Sequence, residues 1–190
     1  MHPTPRSSTS RRRPARRLAP AALLAALCLT GLSSAAAGPA PWSRPMTVPL
    51  RVSSAYGVPG DWLAGHHTGV DFAVPTGTLV RAVSEGTVLV AGPYGNYGNT
   101  VLLRLADGYY ALYAHLSRVA VSPGRTVASG TLLGHSGATG RVTGPHLHFE
   151  IRRNQNYGSD VDPLAHLAAH GVKLSTRATP GEAAVPDHHD

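Results

Sequence analysis

Short apolar segments separated by turn residues constrain the fold of this chain more than any other feature. They run through residues 46–172 and are rich in Val, Leu, Thr and Gly. Turn signals recur about every 8–12 residues, which is the spacing of short antiparallel strands. Only residues 164–170 have helical spacing, with Asp162 as N-cap and Pro163 in the first turn. The pattern predicts an all-β domain of antiparallel strands with one short C-terminal helix.

Turn residues also predict three hairpins within this block. Asp107-Gly108 is the strongest signal and joins strands predicted at 99–105 and 109–115. Weaker turns at 84–86 and 129–130 lie inside two similar stretches, VPTGTLVRAVSEGTVL and VSPGRTVASGTLL. We interpret this similarity as a recurring hairpin type. A further strand is predicted at 146–152.

The first 37 residues have the order of a secretory signal peptide. Arginines come first, a short apolar run follows, and an Ala-x-Ala site ends at Ala37. The apolar run is shorter than the ~20 residues that a membrane span needs. Cleavage would remove Cys28, six of the 17 basic residues and none of the 10 acidic ones, so the net charge falls from +7 to about +1.

This near-neutral remainder removes the main argument for nucleic-acid binding. Residues 38–45 are rich in proline and are interpreted as a leader, and 173–190 are predicted to form a disordered tail. We therefore expect a secreted protein, extracellular or in the cell wall. Its mature form is expected to be a monomer that is not bound to a membrane.

Histidines carry the chemical signal in what remains. On a strand, His146 and His148 project from one face, because side chains alternate. His67 and Asp71 approach one another only if the chain bends, which Gly69 permits.

Together, His67, Asp71 and one of the two strand histidines offer two nitrogens and one oxygen. That set is typical of a catalytic zinc site with one open position. His166 and His170 lie one helical turn apart and are interpreted as surface residues.

Three motifs in this order resemble the lysostaphin-type (LytM-like) zinc metallopeptidases. They are His67-x-Gly-x-Asp71, Tyr113-Ala-His115-Leu, and the stretch 136–150, which contains the two strand histidines. The resemblance covers about 52–167. Members of this family cut peptide cross-links of bacterial peptidoglycan, so the resemblance implies a secreted peptidoglycan endopeptidase.

The resemblance also implies the fold and the site. The fold is a small β-sandwich with a long narrow groove. His67, Asp71 and His148 are expected to bind one zinc ion, and His115 and His146 to be the catalytic pair. A zinc-activated water is expected to attack the substrate peptide bond.

Residues lining the groove are expected to bind a stem or bridge peptide of peptidoglycan. The candidates are Tyr97, Asn99, Tyr113 and Thr143. Both glycine bridges and D-alanyl cross-links remain open as the bond that is cut. The alternatives are a non-catalytic relative that activates other cell-wall hydrolases and a wall-binding domain with a structural metal.

A further expectation concerns the loop 57–65 beside the first motif. The family often has a tyrosine near the ion just before that motif. Tyr56 or Trp62 is the candidate for this position.

Overall fold

The computed structural model describes residues 41–174. Within this range the chain forms eleven strands, a short 3-10 turn at Gly95–Tyr97 and one α-helix, α1 (Pro163–Ala169). The strands are β1 (Val52–Ser54), β2 (Val70–Phe72), β3 (Leu79–Arg81), β4 (Gly86–Pro93), β5 (Asn99–Leu105), β6 (Tyr110–Leu116), β7 (Arg118–Val119), β8 (Thr126–Val127), β9 (Leu132–His135), β10 (Leu147–Arg152) and β11 (Asp160–Val161).

The strands form two antiparallel sheets. The large sheet has the order β1-β2-β10-β6-β5-β4-β8, with β11 paired to β10. The small sheet has the order β3-β9-β7. The prediction of an antiparallel all-β fold with one short C-terminal helix is therefore confirmed.

The main core lies against one face of the large sheet. Leu147, Phe149 and Ile151 alternate along β10 and are fully buried in it. Val80 of β3 and Leu133 of β9 belong to the same apolar cluster, so the small sheet contributes to this core. The intervening residues of β10 project from the opposite face, where the candidate site is built.

The hairpin predicted at Asp107-Gly108 is confirmed. Strands β5 and β6 pair antiparallel, with Leu103 opposite Ala111. Gly108 has a φ of 90°, a left-handed conformation that glycine adopts without strain.

The other two predicted hairpins are wrong. The predicted hairpins would pair β3 with β4 and β8 with β9. Instead β3 pairs with β9 and β4 pairs with β8, so each of the two similar stretches pairs with the other. At the crossing, the Ala82 amide donates to the Thr131 carbonyl, and the Gly130 amide donates to the Ala82 carbonyl. Turn residues specify where the chain changes direction, but burial of apolar faces decides which strand becomes the neighbour.

The short helix begins as the sequence predicts. The Asp162 carboxylate accepts hydrogen bonds from the amides of Leu164 and Ala165, and Pro163 occupies the first turn. Leu167 is buried in the main core and holds the helix against the domain.

Part of the predicted leader packs on the domain. The Ser43 amide donates to the Val83 carbonyl at 2.7 Å, and the Arg81 amide donates to the Pro45 carbonyl at 2.8 Å. The predicted signal peptide and nearly all of the predicted tail lie outside the described residues. Among residues 41–174, no helix is both long and apolar enough to span a membrane.

Candidate metal centre

The three predicted metal ligands converge on the open face of the large sheet. Asp71 lies in β2 directly opposite His148 of β10, and His67 precedes β2. Asp71 Oδ1 is 2.7 Å from His148 Nδ1 and 3.2 Å from His67 Nε2. The two imidazole nitrogens are 3.1 Å apart. Three ligand atoms from three positions of the chain therefore face one another.

The bend between His67 and Asp71 depends on Gly69. A Cβ atom at this position would lie 2.6 Å from the Phe149 carbonyl oxygen and 2.8 Å from His148 Cε1. Neither neighbour has room to move, because one is backbone and the other belongs to a buried ring. Glycine is required here because the chain passes closely over β10.

Hydrogen bonds behind the two imidazoles orient their protons. His67 Nδ1 lies 2.9 Å from the Ala55 carbonyl oxygen, and His148 Nε2 lies 2.8 Å from Glu150 Oε1. A carbonyl and a carboxylate only accept, so these nitrogens carry the protons. In the neutral imidazoles, His67 Nε2 and His148 Nδ1 then present lone pairs to each other and to Asp71. An additional proton or a cation is needed to hold these groups together.

Electrostatics favours a positive charge at this point. Burial opposes ionisation of Asp71, but His148 and His67 outweigh it and hold the pKa of Asp71 well below its usual range. Burial also lowers the pKa of His148, but Asp71 and Glu150 outweigh it and raise that pKa to about 10. A metal ion and this proton compete for the same nitrogen.

The donor set fits zinc. Two neutral imidazoles and one carboxylate are ligands that zinc accepts, and metal–ligand bonds of about 2.0–2.1 Å place tetrahedral ligands ~3.3 Å apart. The separations of 2.7, 3.1 and 3.2 Å lie close to that spacing. One position of a tetrahedron would remain for water or substrate.

A buried network of polar side chains contacts His148 on the side of the ring that faces away from Asp71. Glu150 has no exposed surface and accepts hydrogen bonds from Tyr97 Oη and Thr68 Oγ1, each at 2.7 Å. Arg152 donates through Nε to the second oxygen of Glu150. Burial would raise the pKa of Glu150, but His148 and Arg152 lower it to about 2.

The sequence carries a signal for this network. Residues 146, 148, 150 and 152 alternate along one strand and share a face. Continuing the period of two beyond His148 would have assigned Glu150 and Arg152 to the site.

His115 reaches the site through a break in strand alternation. A regular strand would turn His115 toward the same side as Tyr113, into the core. Instead its φ is 60°, and the β5–β6 register shifts between Asn99 and Val101. This bulge directs the His115 ring toward His146, with 4.8 Å between ring centroids.

His115 and His146 have matching hydrogen bonds. His115 Nδ1 lies 2.9 Å from the Thr139 carbonyl oxygen, and His146 Nδ1 lies 2.9 Å from that of Gly144. The carbonyls fix a proton on each Nδ1, so each neutral ring presents Nε2 as an acceptor. His146 Nε2 is 3.8 Å from Asp71 Oδ1. Burial lowers the pKa of His115 to about 4, which favours its neutral form.

The prediction that Tyr113 lines the groove is wrong. Tyr113 is fully buried, its hydroxyl accepts a hydrogen bond from the Val83 amide at 3.0 Å, and its ring packs 5.2 Å from that of Phe149. It lies on the core face of β6, where no substrate reaches it. Strand alternation explains this position.

The other predicted groove residues have different environments. Tyr97 is partly exposed and its ring lies 5.7 Å from that of His148, although its hydroxyl points inward to Glu150. Asn99 is half-buried at the start of β5, and Thr143 is exposed in the loop before β10.

Trp62 lies beside the centre, in the loop 57–65. Its ring centroid is 5.3 Å from that of His67, and 43% of its surface is exposed. Tyr56 instead packs against His66, with centroids 6.0 Å apart. Of the two candidates, Trp62 is therefore the aromatic residue that borders the metal ligands.

The fold and this set of ligand atoms are those of a metallopeptidase domain of the lysostaphin type. Residues 65–163 match the model of peptidase family M23. The chain belongs to peptidase family M23, which confirms the resemblance drawn from the three motifs.

Similar proteins agree with this assignment. The chain is 48% identical over 99 residues to the DD-carboxypeptidase/endopeptidase Mpg of Neisseria meningitidis, covering 52% of this chain and 22% of that protein. It is 44% identical over 85 residues to the peptidoglycan DD-endopeptidase ShyA of Vibrio cholerae, covering 45% and 20%. The chain thus spans about a fifth of these relatives.

A solved structure shares the fold over nearly its whole length. The catalytic domain of the antimicrobial peptidase lysostaphin from Staphylococcus simulans has a TM-score of 0.59 and 35% sequence identity. The match covers 63% of this chain and 92% of that domain.

Proposed function

We propose that this chain is a zinc endopeptidase that cuts peptide cross-links of bacterial peptidoglycan. One observation carries the proposal. Ligand atoms of His67, Asp71 and His148 meet at one point. His146 Nε2 lies 3.8 Å from Asp71 Oδ1, and the His115 ring lies 5.8 Å from the His148 ring. Such a combination supplies both an ion and a means of moving protons.

His67 Nε2, Asp71 Oδ1 and His148 Nδ1 would hold the ion. When bound, zinc polarises a peptide carbonyl and lowers the pKa of water toward 7. Two neutral imidazoles and one carboxylate leave a net charge of about +1 on the loaded site. The Glu150–Arg152 pair adds no net charge and keeps the His148 proton on Nε2.

His115 and His146 would move the protons of the reaction. Because a carbonyl fixes the proton of each on Nδ1, each Nε2 can accept a proton from an attacking water. The protonated ring then gives this proton to the leaving amine as the C–N bond breaks, while the other ring can stabilise the oxyanion with a hydrogen bond if it is protonated. The 4.8 Å between the ring centroids lets both contact the same peptide bond.

The names of two relatives support a choice of substrate class. ShyA is named a peptidoglycan DD-endopeptidase, and lysostaphin is named an antimicrobial peptidase. We propose the peptide part of peptidoglycan as the substrate, with Tyr97, Asn99 and Thr143 flanking it. Export through the segment 1–37 would bring the enzyme to this polymer.

The test is digestion of purified peptidoglycan by the zinc-loaded chain. One substrate carries glycine bridges and the other carries direct D-alanyl cross-links. We expect new amino termini, identified by mass spectrometry of the released peptides, and their loss on addition of a chelator. The mass spectra also show which bond is cut.

Two variants complete the experiment. His148→Ala is expected to lose both zinc and digestion, whereas His66→Ala, a histidine outside the ligand set, keeps both. Digestion at the wild-type rate in His148→Ala would refute the metal assignment. Zinc content and wall binding without new amino termini would favour the non-catalytic alternative.

A further inference from the structure

A second group of metal-binding side chains lies where α1 approaches the turn between β5 and β6. His166 and His170 are one helical turn apart, and Asp107 lies in the turn. Asp107 Oδ2 is 3.0 Å from His166 Nε2 and 3.3 Å from His170 Nε2. These atoms form one of two groups of potential ligand atoms found among residues 41–174, and the other is the centre described above.

Neighbouring groups hold these three side chains in place. The Tyr109 amide donates to Asp107 Oδ1 at 3.0 Å, which leaves Oδ2 for the histidines. The indole of Trp42 stacks on the His170 ring at 3.8 Å with 13° between the planes. The Tyr109 ring lies 4.5 Å from that of His166. The donor atoms are therefore oriented before any ion binds.

The two histidine–carboxylate distances match the ligand spacing of a small transition-metal ion, and all three donor atoms lie within 4.8 Å of one another. Tetrahedral zinc places neighbouring ligands ~3.3 Å apart, and both histidine–carboxylate separations lie near this value. Two imidazoles and one carboxylate suit ions of the zinc, cobalt and nickel group better than calcium or magnesium.

We propose that Asp107, His166 and His170 form a second binding site for a divalent ion of the zinc class. An ion in this site would link the end of α1 to the β5–β6 turn. Because Trp42 stacks on His170, the segment that precedes β1 would be held there as well. An ion here would stabilise the domain, since it binds only the folded arrangement. The competing arrangement has both histidines donating hydrogen bonds to Asp107 with no ion.

Titration with Co²⁺, followed by its visible absorption and by equilibrium dialysis, distinguishes the two arrangements. The full chain carries His188→Gln and His189→Gln, so that the adjacent histidines near its end contribute nothing. His67→Ala in this background blocks the first centre. We expect two equivalents of Co²⁺ in the background protein and one in the His67→Ala protein.

Variants at the second site identify the remaining equivalent. His166→Gln with His170→Gln, added to the His67→Ala protein, is expected to weaken this binding by about tenfold or more. Asp107→Asn, which keeps the side-chain shape, is expected to do the same. His66→Gln is the matched control, because His66 forms a single histidine–carboxylate pair with Asp160 at 2.9 Å.

Thermal unfolding provides the second readout. Zn²⁺ is expected to raise the Tm of the His67→Ala protein, and to have no effect once both histidines of the second site are replaced. The proposal is overturned if the folded His67→Ala protein binds no Co²⁺ or if its binding is unchanged in Asp107→Asn. Either result would assign the cluster to hydrogen bonding alone, without affecting the proposed peptidase activity.

Discussion

The two faces of β10 have opposite compositions although they alternate residue by residue. Leu147, Phe149 and Ile151 enter the main core, while the intervening positions carry an imidazole, a carboxylate and a guanidinium. Both sets are buried. The apolar set gains its stability by leaving water, whereas the polar set must find partners for every charge.

Because of this difference, one face of β10 contributes mainly to the stability of the fold and the other mainly to the metal centre. Changes on the core face are expected to affect unfolding first, and changes on the site face to affect metal binding and turnover first. Substitutions on both faces of β10, and just before it, can test that separation.

The largest effect is expected for His146→Ala. Its Nε2 is not among the three ligand atoms, but it lies 3.8 Å from Asp71. We expect the variant to keep its zinc and lose about 10²–10⁴-fold in turnover, the usual contribution of a positioned acid or base. Elemental analysis and peptide release measure the two quantities.

A His146→Ala protein without zinc would place this residue among the ligands. Full turnover with zinc retained would remove it from proton transfer. Either outcome would change the division of roles on the site face.

Phe149→Ala tests the core face. Phe149 is fully buried and packs on Tyr113, so truncation leaves a cavity. The free energy of unfolding is expected to fall by about 3–5 kcal/mol. Denaturant titration measures it, and the folded fraction is expected to bind zinc as the wild type does. If the free energy of zinc binding falls by more than the free energy of unfolding, the two faces are coupled.

Glu150→Gln tests the support behind His148. The amide keeps an acceptor for the His148 proton but loses the charge that Arg152 and His148 face. Zinc affinity is expected to fall by about 10–100-fold, as is usual when such a supporting partner is changed. Competition with a chelator measures it, and exposed Glu85→Gln is the matched control. Unchanged affinity would confine Glu150 to a structural role.

Thr143→Ala is expected to have the smallest effect. Thr143 is exposed in the loop before β10, so its hydroxyl contributes at most one hydrogen bond to a bound peptide. KM is expected to rise by about two- to tenfold, with zinc content and the free energy of unfolding unchanged. A change in kcat alone would contradict a role in substrate binding.

The three side chains that meet at the metal centre were predicted before the structure was known, but the residues that support His148 were not. Spacing predicts His67, Asp71 and one of the two strand histidines, because a bend or a strand brings such side chains together, and the resemblance to the lysostaphin-type family selects His148. The period of two places Glu150 on the same face as His148 and Arg152, but its contacts with Tyr97 and Thr68 depend on distant segments and appear only in the structure. The prediction that Tyr113 lines the groove was wrong because alternation shows which residues share a face of β6, but not which of the two faces the core covers.

The amino-acid sequence by itself determined the class of fold, the β5–β6 hairpin, the helix cap, and His67 and Asp71 as two of the residues that meet at the metal centre. These depend on local spacing and on turn and cap chemistry, which act over a few residues. Tertiary structure decided the pairing of the two similar stretches, the turn of His115 out of the core and the meeting of Asp107 with α1. Those features depend on contacts between distant segments, where burial and partner choice outweigh any local preference.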